Sequence, residues 1–567
     1  MNRLRVAALI VLAGLLAACT GVPTSGPIQE GPVVDSAEST QFIRVIAAPP
    51  SAGAEPEEIV RGFLEANASL EQDHAIARRY LTAEASRAWA AKASTAVYDP
   101  ATLRLSPRRD SVRARFTVVA ELAADGSLDV LQQPDQREVS YTLEQVTEGD
   151  ATVPQWRIAD PANGILISTT DLRRAYRLHE TFFMAQLADL LVPDGRLLPV
   201  VGASLPTTLA EAVLAGPSAW LAPGARGTLP SGTALALGAV PVTDGVASVE
   251  LTEEVLSATD QQRRDLGAAL TWTLTELPDI SGVQLLVNGE PFDVPGRPTV
   301  MDRSMWQSQA PDARATGASG QQRLPHYILE GASIVRVSDV SRTTAPVTAD
   351  EPETLTGLAI APDQKRAAAI EPDGTALWLL PLDRASTTLQ LTGGGITSAS
   401  FDAEGRIWFT DDGTIRRVVG GDQTVEVPVV TEGIGAVTSI ALGRDGTLVA
   451  LVAGGLVWVG VLQQQGSELV VGSVERVDWT ITDVVDVAWR DASTLDLLAG
   501  PTLETRQVMR ESIGSGEVTG LGAPTDPTEV AAAPGALTLV SGDDDGIYAN
   551  VGLQWRRQDA GRSVAYP

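Results

Sequence analysis

Apolar positions between residues 57 and 184 change spacing once, from a helical period to a period of two. Ile59, Val60, Phe63 and Leu64 fall on one face of a helix. A second helical stretch is predicted around Ala75 to Trp89. Beyond it Val112, Ala114, Phe116 and Val118 alternate with Arg113, Arg115 and Thr117, which is the pattern of a half-buried strand. Further strand-like runs are Glu138 to Val146, Trp156 to Ala159 and Ile165 to Ser168. Helices first and an antiparallel sheet afterwards predict an α+β domain over 57–184. The order is similar to the NTF2-like cone.

A second module is predicted over 197–295. It opens with a short strand from Leu198 to Val201, and a helix from Leu209 to Leu214 stops at Gly216-Pro217. A strand from Ala234 to Val242 turns at Asp244-Gly245 into Val246 to Leu251. Thr259 and Gln262 have the spacing of a capping box. Behind them Leu266, Leu270, Leu274 and Leu277 form an apolar stripe. The strand Val283 to Val287 ends in Asn288-Gly289, a strong hairpin signal. The module reads as mixed α/β.

Residues 301–324 are polar and weakly patterned, and read as a linker. The remainder, 325–567, is strand-like and repeats. Similar segments start at Ala359, Ser400, Ala441, Ala488 and Ala531, spaced by 41, 41, 47 and 43 residues. A second strand follows each, and a third bears Trp378, Trp408, Trp458 or Tyr548 in four units. Repeats of this length with about four short strands each predict a β-propeller. The hairpin Tyr327 to Val337 either completes the last blade or belongs to a further one, so the sequence leaves five or six blades open.

At the N-terminus Arg3 and Arg5 precede an apolar run from Val6 to Leu16, and Leu16-Ala17-Ala18-Cys19 follows. A basic head, a short apolar core and small residues at a cleavage point make an export signal over 1–18. Small residues directly before a cysteine resemble a bacterial lipobox. That resemblance implies cleavage after Ala18, a diacylglyceryl group on the Cys19 thiol and an acyl (palmitoyl) chain on its amine. Cys19 is the only cysteine, so the chain forms no internal disulfide. Residues 19–56, rich in Pro, Gly, Ser and Ala, read as an extended tether.

Charge and residue types narrow the function classes. The chain carries 42 basic and 71 acidic residues, a net charge of −29. Nucleic-acid binding needs a basic footprint, so no nucleic-acid partner is expected. The three histidines, His74, His179 and His326, lie in three segments without metal-ligand spacing. Neither lysine, Lys92 or Lys365, has a serine three residues earlier, and no P-loop or nucleophile elbow occurs. No catalytic residue, cofactor or metal site is therefore expected. Asp411-Asp412-Gly413 and Asp543-Asp544-Asp545-Gly546 match turn chemistry better than calcium ligation. One basic cluster, Arg104, Arg108, Arg109, Arg113 and Arg115, reads as a solvated strand face. The tryptophans Trp378, Trp408 and Trp458 are expected to pack between blades rather than stack a sugar.

The order of segments carries a family resemblance. The lipobox is followed by Thr20-Gly21-Val22-Pro23-Thr24-Ser25-Gly26-Pro27, then Arg79-Tyr80-Leu81-Thr82 in the first domain. The middle module contains Leu214-Ala215-Gly216-Pro217-Ser218 and Leu286-Val287-Asn288-Gly289-Glu290-Pro291. With the terminal propeller, this resembles the LpqB lipoprotein family of actinobacteria, and the middle module is similar to the GerMN domain. The resemblance implies a non-enzymatic lipoprotein, lipid-anchored on the extracytoplasmic face of the cell membrane. It also implies a partner, the extracytoplasmic sensor region of the Mtr two-component kinase, in envelope signalling and division. Only Cys19 carries over residue by residue, and partner-contact residues are unknown. The alternative class is a cell-envelope glycan-binding protein or hydrolase.

Overall fold

The computed structural model describes residues 47–147, 153–200, 204–313, 324–331, 333–338, 341–345, 355–382, 389–431 and 433–567. The export signal and Cys19 lie outside the described residues.

The first helix, Pro56–Ala66, has proline in its first turn and a reciprocal capping box between Glu55 and Glu58. It buries Ile59, Val60, Phe63 and Leu64. The second predicted helix divides into Ala75–Arg78 and Ala83–Ala88. The sheet beneath runs Gln155–Asp160, Leu128–Val146, Ser111–Leu122, Thr95–Pro107 and, in parallel, Ile165–Ser168. Val112, Ala114, Phe116 and Val118 all face the helix, as their alternation requires. Phe63 meets Trp89 and Tyr141 edge-on, with ring centroids 5.3 and 6.0 Å away. The domain reaches back into the expected tether. Tyr80 donates its hydroxyl to the Ala48 carbonyl at 2.9 Å, and the Gly53 amide donates to Gln155 Oε1 at 2.7 Å.

The middle module starts earlier than its pattern suggests. The strand Tyr176–Ala185, which the sequence reading gave to the first domain, pairs with Leu191–Pro199 and Ala225–Arg226. A second sheet pairs Val246–Leu251 in parallel with Gly282–Val287 through the crossover helix Asp260–Leu274. That helix lies between the two sheets. It therefore buries Leu266 to Thr271 as well as Thr273 and Leu274, more than the single predicted stripe. Thr259 caps it, and the reciprocal bonds with Gln262 are both present. The predicted strand Ala234 to Val242 is reduced to Val242–Thr243, with only a bridge from Leu235 to Leu251 upstream.

The expected linker over 301–324 also begins later than predicted. Val300–Met301 adds to the second sheet, and a short 3-10 segment, Arg303–Gln309, buries Trp306 against the crossover helix. Two large apolar side chains in a polar stretch are enough to fold it onto the module.

Among the described residues the terminal region forms a ring of six four-stranded antiparallel blades. The first blade combines His326–Glu330, Ser333–Ser338 and Ser341–Thr344 with the last strand of the chain, Val564–Ala565. The other five follow in order, with inner strands Thr356–Ile360, Ile396–Phe401, Val437–Leu442, Val484–Trp489 and Pro527–Ala531. The hairpin after residue 325 thus belongs to a sixth blade, and the strand Val564–Ala565 closes that blade. Closure leaves the inner strands as short edges enclosed within the ring.

Neither of the other domains hangs free of the ring. Arg476, on the outer strand of the fourth blade, pairs through its backbone with Val130 of the first domain. Its guanidinium reaches the Gln132 carbonyl at 3.3 Å. The apolar core of the middle module continues without a break into the fourth and fifth blades. Gly224 is needed at that contact, because a Cβ there would stand 2.2 Å from Val461 Cγ1.

Candidate functional site

The ring encloses a channel of about 350 Å³, walled by the six inner strands. Its polar groups bind one another from blade to blade. Thr397 donates to the Thr438 carbonyl at 2.7 Å. Ser398 and Ser400 accept the amides of Ile440 and Leu442, each at 3.1 Å. Asp486 takes the Ser439 hydroxyl at 3.0 Å on one side and the Val530 amide at 2.9 Å on the other. Glu529 accepts the Gly357 amide at 3.0 Å, the Ser541 hydroxyl at 3.3 Å and the Ser563 hydroxyl. Asp486 thereby ties together the two blades that adjoin its own, and Glu529 reaches across the closing strand Val564–Ala565 to the second blade. Enclosure by protein raises both acids above the ordinary carboxylate range, Glu529 to about 7. These groups have the chemistry of catalytic acids, but their hydrogen-bonding capacity is used in holding the ring.

At one end of the channel Arg444 donates to the Pro567 backbone oxygen at 2.8 Å. Asp312, from the segment that follows the middle module, faces this arginine. Burial, with Asp491 nearby, pushes Asp312 up to about 6. Glu180 of the middle module accepts the Ser493 hydroxyl of the fifth blade beside it.

The residues weighed from sequence do not converge. His74 lies in the first domain, its ring 5.9 Å from that of Trp89, and burial lowers its pKa. His179 is in the middle module, where burial again lowers it. His326 is in the first blade, 3.5 Å from Asp559. Asp411 accepts the Gly394 and Gly395 amides at 2.8 and 3.1 Å, and Asp412 has φ 49° in the turn that follows. Asp544 accepts the Gly546 amide and the Tyr548 hydroxyl at 3.0 and 2.6 Å. Both acidic runs are turns. Among the described residues no three acidic or imidazole groups gather closely enough to hold a metal ion. Trp408 is fully buried and donates to Asp402 at 2.9 Å, and Trp458 donates to the Ala453 carbonyl at 3.1 Å. Half-buried Trp378 donates to Glu371 at 2.9 Å. Of the basic cluster, Arg113 and Arg115 both pair with Glu138 on the adjacent strand, at 3.2 and 2.9 Å.

The sequence reading missed the junction where three domains meet. Arg196 of the middle module is only 1% exposed and bonds Asp194, itself 2% exposed, at 2.7 Å. Its other nitrogen binds Asp125 of the first domain. Ser218 completes the shell of Asp194 with its amide at 2.7 Å and its hydroxyl at 2.9 Å. Glu475 of the fourth blade approaches Asp129 of the first domain and the same Asp194. Only the run Asp194-Gly195-Arg196, a charged pair inside an apolar strand pattern, signals this junction in the sequence.

Three family models match in chain order. "Lipoprotein LpqB, N-terminal domain" covers residues 49–173, "Sporulation and spore germination" covers 180–293, and "Lipoprotein LpqB beta-propeller domain" covers 333–567. The chain belongs to the LpqB lipoprotein family. The LpqB lipoprotein of Thermobifida fusca is 29% identical, over 98% of this chain and 97% of its own length. The Mycobacterium tuberculosis LpqB lipoprotein is 26% identical over 86% of each chain. Among solved structures, the tandem GerMN domains of GerM from Bacillus subtilis match 30% of this chain and 63% of their own, with 17% identity and a TM-score of 0.21. TolB from Acinetobacter baumannii matches 44% of this chain and 67% of its own, with 16% identity and a TM-score of 0.32. The spore-germination model begins at residue 180, inside the strand Tyr176–Ala185, whose pairing puts it with the GerMN module.

Proposed function

We propose that this LpqB-family chain is a non-enzymatic lipoprotein, tethered to the outer face of the cytoplasmic membrane through acylated Cys19. Its docked domains act as an accessory partner of the extracytoplasmic sensor region of the Mtr two-component kinase. The observation that carries the reading is the colinear match to lipoproteins along nearly the whole chain. The channel supports it, because its carboxylates and hydroxyls serve the ring itself. Two acyl chains hold a protein stably where one is marginal. Confinement to the membrane plane raises the effective concentration of a neighbouring receptor and makes a weak contact sufficient.

Crosslinking the full chain in native membranes, followed by mass spectrometry, tests the partnership. Enrichment of the sensor kinase is expected, and its loss when Cys19→Ala frees the chain. Absence of the kinase from the crosslinked set contradicts the partnership. Release of soluble fragments from purified cell-wall glycan would instead establish an envelope hydrolase.

A further inference from the structure

We propose that the GerMN module carries a docking site for an extended peptide of a partner protein, which adds to the open edge of its first sheet and seats one apolar side chain in a cavity beside the crossover helix. The strand Ala225–Arg226 is the last of that sheet and pairs only with Tyr176–Ala185. The Gln186 amide donates to the Gly224 carbonyl at 2.7 Å, and Met184 stands opposite Arg226. Bonds to the neighbouring strand therefore come from Gly224 and Arg226. In an antiparallel ladder alternate residues turn their amides and carbonyls to opposite sides, so those of Ala225 and Gly227 face the free edge.

The chain continues from Gly227 to Pro230 without a turn. Phe182, next in the register, gives its amide to the Thr273 hydroxyl at 3.1 Å instead of to this segment. Among the described residues the amides of Gly227, Thr228 and Leu229 have no acceptor. An extended segment with unpaired main-chain groups is a template for a further strand.

A cavity of about 420 Å³ opens between this segment and the first half of the helix Asp260–Leu274. Its floor is Phe183, Val213, Leu266 and Ala269, all buried. The free edge offers main-chain bonds to any sequence, and an apolar pocket beside it selects a side chain. At the rim Arg226 binds Asp265 through Nε at 3.1 Å and reaches Asp189 with Nη2 at 3.4 Å. Asp260 and Arg264 lie on the first turns of the same helix, so three acids meet two arginines. That balance favours a basic residue near the apolar one. The site goes beyond the proposed membrane partnership, which assigns no contact surface, and needs neither the lipid nor the kinase.

Fluorescence anisotropy with the purified full chain tests it. The probe is a labelled seven-residue peptide with leucine at its centre, lysine two residues before it and threonine elsewhere. Saturable binding is expected, and aspartate in place of the leucine should weaken it about tenfold or more. Hydrogen exchange should slow on binding in residues 225–229. Ala269→Leu fills the cavity from the helix and should weaken the probe to a similar degree. If that variant does not fold, Asp189→Lys, at a position 69% exposed, should weaken it several-fold at low salt. Absence of binding at about 1 mM peptide overturns the site. So does binding insensitive to the central residue or unchanged in the variant that folds, or exchange slowed elsewhere with 225–229 unaffected. Equal affinity for leucinamide would make the cavity a small-molecule pocket and overturn strand addition. The assay contains no kinase and no membrane, so its failure leaves the proposed partnership standing.

Discussion

Tyr327 stands opposite Ala565 in an antiparallel ladder, and Ile328 stands opposite Val564 beside it. The first and last strands of the propeller are thereby neighbours. A pair of residues at the end of the chain completes a blade that begins some 240 residues earlier.

Ring closure should therefore be sensitive to one fully buried side chain in this pair. Ile328 has no exposed surface and packs with Val335, Leu539, Ile547 and Val564. Ile328→Ala is expected to cost about 2–5 kcal/mol, the usual range for emptying a buried aliphatic site. Denaturant titration of the full chain measures it, and a loss below about 1 kcal/mol would mean that closure contributes little.

At the junction, removing one member of a buried ion pair should cost more than removing an exposed one. Arg196→Ala leaves Asp194 buried with only Ser218 as donor. The expected destabilisation is about 3–5 kcal/mol. Arg115→Ala, whose partner Glu138 is exposed, should change stability by less than about 1 kcal/mol. Comparing the two thermal melts decides whether the junction is structural.

The channel acids give a pH dependence of opposite sense to that of common surface carboxylates. Enclosure raises Glu529 to about 7, so the folded state binds a proton that the unfolded state has released. Stability from this group is full below the unfolded value near 4.3 and declines until about pH 7. The melting temperature should fall between pH 5 and 7, and Glu529→Gln should flatten that slope. A slope unchanged in the variant would assign the dependence to other groups.

The crossover helix carries a local test of the capping argument. Thr259→Ala removes the acceptor of the Gln262 amide, a bond of 3.2 Å, and should cost about 1 kcal/mol. Circular dichroism melts would show it, and an unchanged melt would mean that burial of the helix between two sheets dominates.

What could be read from sequence was what repeats or alternates locally. The five propeller units share a start and a period, so their blades were legible. The closing strand has two residues and no pattern, and only the ring shows where it goes. Phe182 and Phe183 follow the helix Thr169–Ala175 with no glycine or proline between, so no boundary was visible before Tyr176. Met301 and Trp306 were legible as apolar residues, but their burial depends on a helix about thirty residues earlier. Docking of domains is the least legible feature, because Arg196 meets Asp125, and Arg476 meets Val130, only when separate folds come together.

The account rests on where the chain is held, and intact mass analysis of its processed N-terminal peptide tests that most directly. Protein recovered from washed membranes should begin at Cys19 and carry a diacylglyceryl group on sulfur and an acyl chain on the amine. An unmodified Cys19, in protein recovered from the soluble fraction, would contradict it.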